Sequence, residues 1–390
     1  MYNYNDFRAG RVIIAIHKDC TQRIFPASYE NIIFEIEISR IEIIFQNRNP
    51  INNINIGAIV MIDLRTNDPQ AVISTIEILN KNPCVVFAEP DFYLEPHIIP
   101  NDEYYKYLWG LKRINCPLAW NFTTGNPDIV VGITDSGINY NHSDIKYNMW
   151  LAPRGQGIRG WNFEDNSNDI MDNTGHGTHV AGTIGAIGNN FVGITGVCWN
   201  VKLAALKIGG TSFNLVAAIN AIDYANRNRI LILNNSWGSR LFSASLKYAI
   251  DNYEGLFIAS AGNSGSNNDV IPVYPANYDS KNIISVAATN RYDGLASFSN
   301  YGATSVDVAA PGTDILSTSF YSEYSYMDGT SMAAPHVAGA AALLKGYRPE
   351  LTPLEIKDII LSSVDKKPQF YGKVLTEGVI NVSRMFESIL

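Results

Sequence analysis

Runs of apolar, β-branched residues alternate with amphipathic helical patterns from residue 128 onward, and this alternation strongly limits the possible folds. Parallel strands that helices cover on both faces are near-continuous apolar segments. The expected strands are DIVVGITD (128–135), VKLAALKIG (201–209), RILILNNSWG (229–238), GLFIASAGN (255–263), NIISVAAT (282–289) and TSVDVAAPG (304–312), and the expected helices are 214–228 and 243–252. The sequence therefore predicts an α/β fold with a mainly parallel sheet flanked by helices on both faces.

The first hundred residues have a different pattern, in which strand-like segments surround one helical segment. The expected strands are 10–17, 33–39, 57–64 and 84–94. The helix is expected to begin after Asp68, with Pro69 at its first position, because Asp is a favoured N-cap and Pro suits the first turn. We predict a small α+β domain over residues 1–100, a linker at 95–105 and a larger domain over residues 101–390.

The net charge of −8 argues against a nucleic-acid partner, and it also disfavours binding to anionic membranes. No apolar run approaches the roughly 20 residues that span a bilayer, so we expect no membrane span. The amino terminus lacks the basic segment and apolar core of a secretory signal. On sequence alone this indicates a cytoplasmic protein, one exported by another route, or one whose signal has been removed.

The four cysteines do not show the CxxC spacing that is typical of metal-binding knots. They are Cys20, Cys84, Cys116 and Cys198. We expect buried free thiols, and disulfides remain possible.

Polar residues follow several of the expected strands of the larger domain. Functional residues of parallel α/β sheets lie beyond the carboxyl ends of the strands, and Asp135, Ser236 and Asn263 lie at or just after such ends. Each also has an ordinary interpretation, because Asp, Ser and Asn commonly form turns.

Ser331, in GTSMAAPHVAG (329–339), precedes an alanine-rich helical run and has two interpretations. It is either a helix N-cap or a nucleophile at the positive end of a helix.

His176 lies between two glycines, and His179 follows three residues later. The pair lacks the i, i+4 spacing and the intervening Glu of a metalloprotease, so we expect His179 to be a packed helix residue. A serine becomes a nucleophile when a histidine takes its proton and a carboxylate orients the imidazole.

Four segments, DSGINYNHSDI, HGTHVAGTIGA, ASAGN and GTSMAAPHVAG, resemble in this order the signature blocks of the subtilisin-like serine proteases. The resemblance covers about residues 100–385 and is nearer to subtilisin and thermitase than to the kexin branch. It implies a serine endopeptidase with a subtilisin-like fold. In it Asp135 orients His176, His176 is general base and then general acid, and Ser331 attacks the peptide carbonyl. Asn263 and the Ser331 N–H would form the oxyanion hole.

The same resemblance implies a substrate cleft. NNSWG is similar to the family segment that pairs with substrate, so Ser236, Trp237 and Gly238 are expected to line the cleft. Trp237 stands where the family commonly has leucine, which predicts an apolar wall; packing in the core is the alternative. Val273 falls near the floor of the primary pocket, where a smaller residue is frequent. A shallower pocket for modest apolar side chains follows.

The loop AIGNNFVGITG (186–196) resembles the loop that holds calcium in thermitase-like members. Calcium binds six to eight oxygen ligands, and its expected role here is stability. The implied ligands are the side chains of Asp102, Asp144 and Asn190 and the carbonyls of Ile187, Val192 and Ile194. The alternative is that the Asn and Gly residues of this loop only form turns.

Residues 1–100 resemble the inhibitory propeptide of the family, a ferredoxin-like unit that assists folding and occupies the cleft. Cleavage is expected between about Leu94 and Asp102, and secretion is the default for the family. We therefore expect a monomeric zymogen that acts on peptide or protein substrates, with its own propeptide as an intramolecular inhibitor. The alternatives are a processing protease with a narrow substrate, and a catalytically silent binding protein that keeps its first domain.

Overall fold

The computed structural model describes residues 7–21, 36–47, 55–93, 98–152, 159–320 and 323–389. The chain divides into two compact units, Met1–Pro96 and His97–Leu390. This division lies within a few residues of the predicted boundary, and the role of the first unit as a propeptide stays a prediction. Part of the predicted cleavage region, residues 94–97, lies outside the described residues.

The first unit is an antiparallel sheet covered by a helix. Its described elements are β1 (Phe7–His17), α1 (Lys18–Thr21), β2 (Ile38–Gln46), β3 (Ile56–Leu64), α2 (Pro69–Leu79) and β4 (Val85–Phe92). The strand order is β2-β3-β1-β4, and every neighbouring pair is antiparallel. Helix α2 begins as predicted, because the Asp68 carboxylate accepts the N–H of Gln70 at 3.0 Å.

Two details of the first unit differ from expectation or stay open. The strand predicted at 33–39 begins only at Ile38 and continues to Gln46, and residues 33–35 lie outside the described residues. Apolar residues occur on both sides of Ile38 in the sequence, so the apolar pattern does not mark where this edge strand begins. The sheet order suits a ferredoxin-like β-α-β-β-α-β unit, in which a helix follows the first strand. Residues 22–35, where most of that helix is expected, are not described, so this fold stays a prediction.

Cys20 and Cys84 form a disulfide, so the expectation of free thiols is wrong for this pair. The two residues are 64 positions apart in sequence, and their Cα atoms lie 5.7 Å apart. They meet because β1 and β4 are neighbouring strands, and one cysteine follows β1 while the other precedes β4. Cys116 and Cys198 are free and buried, as predicted.

The second unit is built on a nine-stranded, mainly parallel sheet, which confirms the predicted α/β architecture. Its strands are β5 (Gly125–Asp135), β6 (Gly160–Asn162), β7 (Asn200–Lys207), β8 (Ile232–Asn235), β9 (Leu256–Ser260), β10 (Ile283–Thr289), β11 (Val308–Pro311), β14 (Asp365–Lys366) and β15 (Gly378–Val379). The order is β14-β15-β11-β10-β9-β8-β5-β7-β6. Only β14 and β15 pair antiparallel within it. A separate hairpin contains β12 (Ile315–Thr318) and β13 (Tyr324–Met327).

Helices pack on both faces of this sheet. They are α3 (Trp109–Arg113), α4 (Cys116–Ala119), α5 (His176–Gly185), α6 (Leu215–Arg227), α7 (Ala244–Asp251), α8 (Thr330–Tyr347), α9 (Pro353–Ser362) and α10 (Val382–Glu387). One apolar core contains buried residues of α5, α8, α9 and α10, and a second contains those of α6 and α7. Over the described ranges, none of the helices combines the length and the hydrophobicity that a bilayer crossing requires.

The carboxyl ends of β5, β8 and β9 lie side by side in the middle of the sheet. Thr134 on β5 is opposite Asn235 on β8, and Asn235 is opposite Ala259 on β9. The residues that follow, Asp135 and Ser236, are therefore neighbours at one edge of the sheet. Parallel strands place ligands and reacting groups at this edge, because the loops that leave the strands converge there.

Candidate active site

Asp135 and His176 form a hydrogen-bonded pair at this edge. Asp135 is the last residue of β5 and its side chain is fully buried, whereas His176 begins α5 with 29% of its side chain exposed. The imidazole Nδ1 lies 2.8 Å from Asp135 Oδ1. Because Nδ1 donates to the carboxylate, Nε2 carries the lone pair that is able to accept a proton.

The pKa of His176 is raised above its ordinary value. Burial lowers this pKa, but the charge and hydrogen bond of Asp135, together with the charge of Asp172, outweigh the effect of burial. The surroundings therefore favour the imidazolium form. A general base needs such support at the moment it takes a proton from a nucleophile.

Ser331 lies in the first turn of α8. The helix begins at Thr330 and Gly329 is its N-cap, so the interpretation of Ser331 as the N-cap is wrong. The Ser331 hydroxyl donates to the Ser236 carbonyl oxygen at 3.2 Å, and the Ser236 hydroxyl donates to the Ser331 carbonyl oxygen at 2.9 Å. These two bonds fix the start of α8 to the end of β8.

The Ser331 hydroxyl and His176 are therefore brought to the same edge through neighbouring residues. Ser331 is hydrogen-bonded to Ser236, and His176 is hydrogen-bonded to Asp135. Asp135 and Ser236 follow the paired residues Thr134 and Asn235 on the neighbouring strands β5 and β8. Within the described part of the chain, the hydroxyl and the imidazole share no hydrogen bond, and the hydroxyl faces the Ser236 carbonyl instead. Catalytic hydrogen bonds are often long or poorly aligned before substrate binds, so this geometry is compatible with a catalytic pair.

Two amide donors border the space beside Gly329. The Asn263 side-chain oxygen accepts the N–H and the hydroxyl of Thr330, each at 2.8 Å, which fixes the orientation of the Asn263 amide. A Cβ built on Gly329 would lie 3.4 Å from Asn263 Nδ2 and 3.5 Å from the Ser331 backbone nitrogen. Paired N–H donors next to a nucleophile are the arrangement that stabilises an oxyanion.

An open pocket of about 370 Å³ adjoins these donors. It brings together all four predicted substrate-binding residues and two of the predicted catalytic ones: Ser236, Trp237, Gly238, Val273, Asn263 and Ser331. A Cβ built on Gly238 would lie 3.0 Å from Val273 Cγ1, so the valine side chain closely approaches the opposite wall.

Trp237 both lines the pocket and packs against the sheet. Its indole N–H donates to Thr134 Oγ1 at 3.0 Å, and its ring meets Phe257 edge-on with centroids 6.4 Å apart. The cleft wall and the core packing, which the sequence presented as alternatives, thus coexist in one partly buried side chain.

The implied calcium ligands gather around two carboxylates. Asp102 Oδ1 is buried without a hydrogen-bond partner, and Asp102 Oδ2 accepts the Asn189 N–H at 2.7 Å. Asp144 accepts the Asn190 amide and the Ile194 N–H, each at 2.9 Å. Burial raises the pKa of Asp102 to about 6, and the charge of Asp144 contributes to this shift. A bound cation would relieve this repulsion and satisfy the unpartnered oxygen.

The loop carbonyls are compatible with the same site. Among the described residues, no hydrogen bond ends on the carbonyl oxygens of Ile187, Val192 or Ile194. The described residues contain no cluster of three or more His, Cys, Asp and Glu side chains able to hold a metal. A cation here would therefore need the carbonyls as ligands, and the Asn190 amide, which presents its NH2 group to Asp144, would have to rotate.

His179 is a packed helix residue, as predicted. It is fully buried, and its Nε2 lies 2.9 Å from the Ile315 carbonyl oxygen and 3.1 Å from that of Ser325. Burial lowers its pKa to about 4. Both of the carbonyl oxygens near its Nε2 belong to the hairpin of β12 and β13.

Sequence reasoning missed Asp172, a buried carboxylate just before α5. It accepts the backbone N–H groups of Thr174, Gly175 and Thr178 at 2.9–3.0 Å. The available signal was an Asp followed by Asn, Thr and Gly ahead of a helical run, which is typical of capping. That signal indicates a role in the backbone and gives no hint of the contact with the His176 region.

Most of the larger unit is similar to known proteins. The subtilase family profile matches residues 126–378. The chain is 39% identical over 299 residues to "Thermophilic serine proteinase" of Bacillus sp. (strain AK1), and this alignment covers 75% of this chain and 71% of that protein. It is 37% identical over 251 residues to "Thermitase" of Thermoactinomyces vulgaris, which covers 63% of this chain and 85% of the relative.

A solved protease from Pseudoalteromonas arctica PAMC 21717 has a similar fold. It aligns with a TM-score of 0.65 and 28% identity, and the alignment covers 75% of this chain and 99% of that one. The predicted resemblance is thus confirmed at the level of family and fold. The chain belongs to the subtilase family and is a serine-type endopeptidase.

Proposed function

We propose that the chain hydrolyses peptide bonds through an acyl-enzyme on Ser331, with Asp135 and His176 completing a catalytic triad. The observation that carries this proposal is the 2.8 Å hydrogen bond between the buried Asp135 carboxylate and His176 Nδ1. This bond holds the imidazole in the tautomer that a general base requires. Asp135 lies at the end of β5, next to Ser236, whose carbonyl oxygen accepts the Ser331 hydroxyl.

Each of the site residues has one task in this mechanism. His176 Nε2 takes the hydroxyl proton of Ser331 as Oγ attacks the substrate carbonyl carbon, after the hydroxyl rotates away from Ser236. The oxyanion is received by Asn263 Nδ2 and the Ser331 N–H. His176 then protonates the departing amine. A water molecule attacks the acyl ester as its proton passes to the same nitrogen, and His176 returns that proton to Ser331 Oγ as the carboxylic acid leaves.

The test is turnover of a peptide anilide by the wild-type chain and by Ser331→Ala and His176→Ala. Loss of either side chain is expected to lower kcat by about 10⁴-fold or more. Ser245→Ala, at an exposed position on α7, is the matched control and should match the wild type. Equal turnover by the wild type and Ser331→Ala would refute the assignment, and a folded but inactive wild type would favour the silent binding protein.

We also propose that residues 1–100 are a removable inhibitor. In support, residues 1–96 form a compact unit with its own apolar core, and the following segment contains Pro100. Freshly purified wild type should show a lag in activity that ends as the first unit is lost, whereas Ser331→Ala should stay uncut. Full activity with the first unit intact would contradict inhibition.

The pocket supports a preference for modest apolar side chains before the scissile bond. Val273 approaches the opposite wall at Gly238, so Val273→Gly should deepen the pocket. Relative to an alanine peptide, kcat/KM for a phenylalanine peptide is expected to rise roughly tenfold, because pocket fit contributes about 1–3 kcal/mol. An unchanged ratio of the two kcat/KM values would show that Val273 does not determine selectivity. If the wild type hydrolysed only very few of the peptides offered, the processing protease would be favoured.

We further propose a structural calcium ion. Its ligands would be the side chains of Asp102, Asp144 and Asn190 and the carbonyls of Ile187, Val192 and Ile194. At a hundredfold excess over Kd, bound calcium should stabilise the fold by about 2.7 kcal/mol. Calcium should therefore raise the Tm of the wild type but not that of Asp102→Asn. Asp223→Asn, on the exposed face of α6, is the control, and a calcium-insensitive wild-type Tm would contradict the site.

A further inference from the structure

Asp172 contacts the segments that carry both members of the Asp135–His176 pair. Its side chain is fully buried. One carboxylate oxygen accepts from the Ser136 hydroxyl at 2.8 Å and from the N–H groups of Thr174 and Gly175. The other accepts the Thr178 N–H at 2.9 Å and the Thr178 hydroxyl at 2.6 Å. These bonds bracket His176 on both sides in sequence.

Ser136 links this carboxylate to the catalytic pair. Its hydroxyl donates to Asp172 and accepts the N–H of Gly177, the residue after His176, at 3.0 Å. Its own N–H donates at 2.8 Å to Asp135 Oδ1, the oxygen that also accepts His176 Nδ1. Ser136 thus connects Asp172 to the Asp135 carboxylate through its N–H, and to the backbone next to His176 through its hydroxyl.

We propose that Asp172 is a positioning residue for the general base: it fixes the His176 segment on Asp135 through Ser136 and provides a second buried negative charge near the imidazolium. This inference rests on the proposed role of His176. The ordinary explanation is a carboxylate that only orders the turn before α5. That explanation accounts for the bonds to Thr174 and Gly175, but it predicts no loss of kcat when Ser136 is replaced and the charge of Asp172 is kept.

Two buried carboxylates act on the ionisation of the imidazole. Asp135 faces it from the end of β5 and Asp172 from the preceding loop, and both raise the pKa of His176. His179, one turn further along α5, has a pKa of about 4 because it is buried, so it is neutral near pH 7. Removing the charge of Asp172 should therefore lower the pKa of His176.

The direct test is an NMR titration of His176 in the uncleaved, inactive Ser331→Ala chain, with and without Asp172→Asn. We expect a lower His176 pKa in Asp172→Asn. Asp269→Asn is the control, because Asp269 orders a turn by accepting from the backbone and hydroxyls of Thr304 and Ser305. It should leave the His176 pKa unchanged. An unchanged pKa in Asp172→Asn would overturn the electrostatic part of the proposal.

Kinetics of the active chain test the positioning part. Asp172→Asn should lower kcat about ten- to a hundredfold with KM within twofold, because small displacements of a reacting group are costly. Ser136→Ala, which keeps the charge of Asp172, should lower kcat without moving the pH midpoint of kcat/KM. A kcat of Ser136→Ala within twofold of wild type would overturn the positioning role, even if Asp172→Asn fails to fold. An inactive wild type would instead count against the proposed function, and the titration would still decide the role of Asp172.

Discussion

Replacing Gly329 with alanine tests the position of the oxyanion hole. The added methyl group would lie 3.4 Å from Asn263 Nδ2, 3.5 Å from the Ser331 nitrogen and 3.7 Å from Met332 Sδ. These are ordinary van der Waals distances, so the methyl group fits without overlap, yet it fills space that borders both donors. Loss of one donor costs about 2.7–4 kcal/mol of transition-state stabilisation, so kcat should fall about 10²- to 10³-fold.

Backbone strain is the competing cause of any loss in this variant. Gly329 has a φ of 154°, and an alanine there costs on the order of 1–3 kcal/mol of stability. Gly372→Ala is the control, because Gly372 has a φ of 68° and a Cβ there would meet no atom within 4 Å. The assay is kcat on a peptide anilide, with Tm measured in parallel. If Gly329→Ala keeps kcat within threefold of the wild type, the donors do not act at this point.

Three further predictions concern charge, redox state and the pocket. Because the general base must be neutral, kcat/KM should rise with pH through the raised pKa of His176, and Asp135→Asn should lower both that midpoint and kcat. An unchanged midpoint would contradict the pairing. Cys20→Ser should destabilise the first unit by about 4 kcal/mol, the value expected for a closed loop of this length. The measurement is hydrogen exchange in the full chain carrying Ser331→Ala, where β1 and β3 should exchange faster; unaltered exchange would show that the disulfide does not stabilise the unit. Trp237→Phe removes the indole hydrogen bond to Thr134 on the sheet, so Tm should fall by an amount that corresponds to about 1 kcal/mol while kcat stays near the wild-type value. A large loss of kcat would mean that the indole also acts in turnover.

The fold of the larger unit was predictable because its strands are buried on both faces. Strands β9 and β10 and the second half of β5 are largely apolar in the sequence, and the ends of β5 and β9 helped to identify the edge where polar residues collect. Strand β2 was placed too early, since the apolar residues of this edge strand continue a pattern that begins before Ile38 and does not mark its start. The Cys20–Cys84 disulfide depends on the order of β1 and β4 in the sheet, which cysteine spacing does not encode.

The candidate site could be predicted only where its residues lie in recognisable segments. Asp135, His176, Asn263 and Ser331 each have an ordinary local interpretation, and their order along the chain made the combination informative. Asp172 has a local pattern that predicts a cap, whereas its link to the pair passes through Ser136 from another strand end. Contacts of this kind depend on tertiary structure, so single-sequence reasoning does not reach them.

The most direct measurement of the central claim is intact mass and peptide mapping after treatment with a fluorophosphonate probe. The folded wild-type chain should gain one probe, located on Ser331, and Ser331→Ala should gain none. His176→Ala should label far more slowly, because the hydroxyl then lacks its general base. Labelling at another residue, or a folded wild type that has lost its first unit and still takes up no probe, would contradict the account.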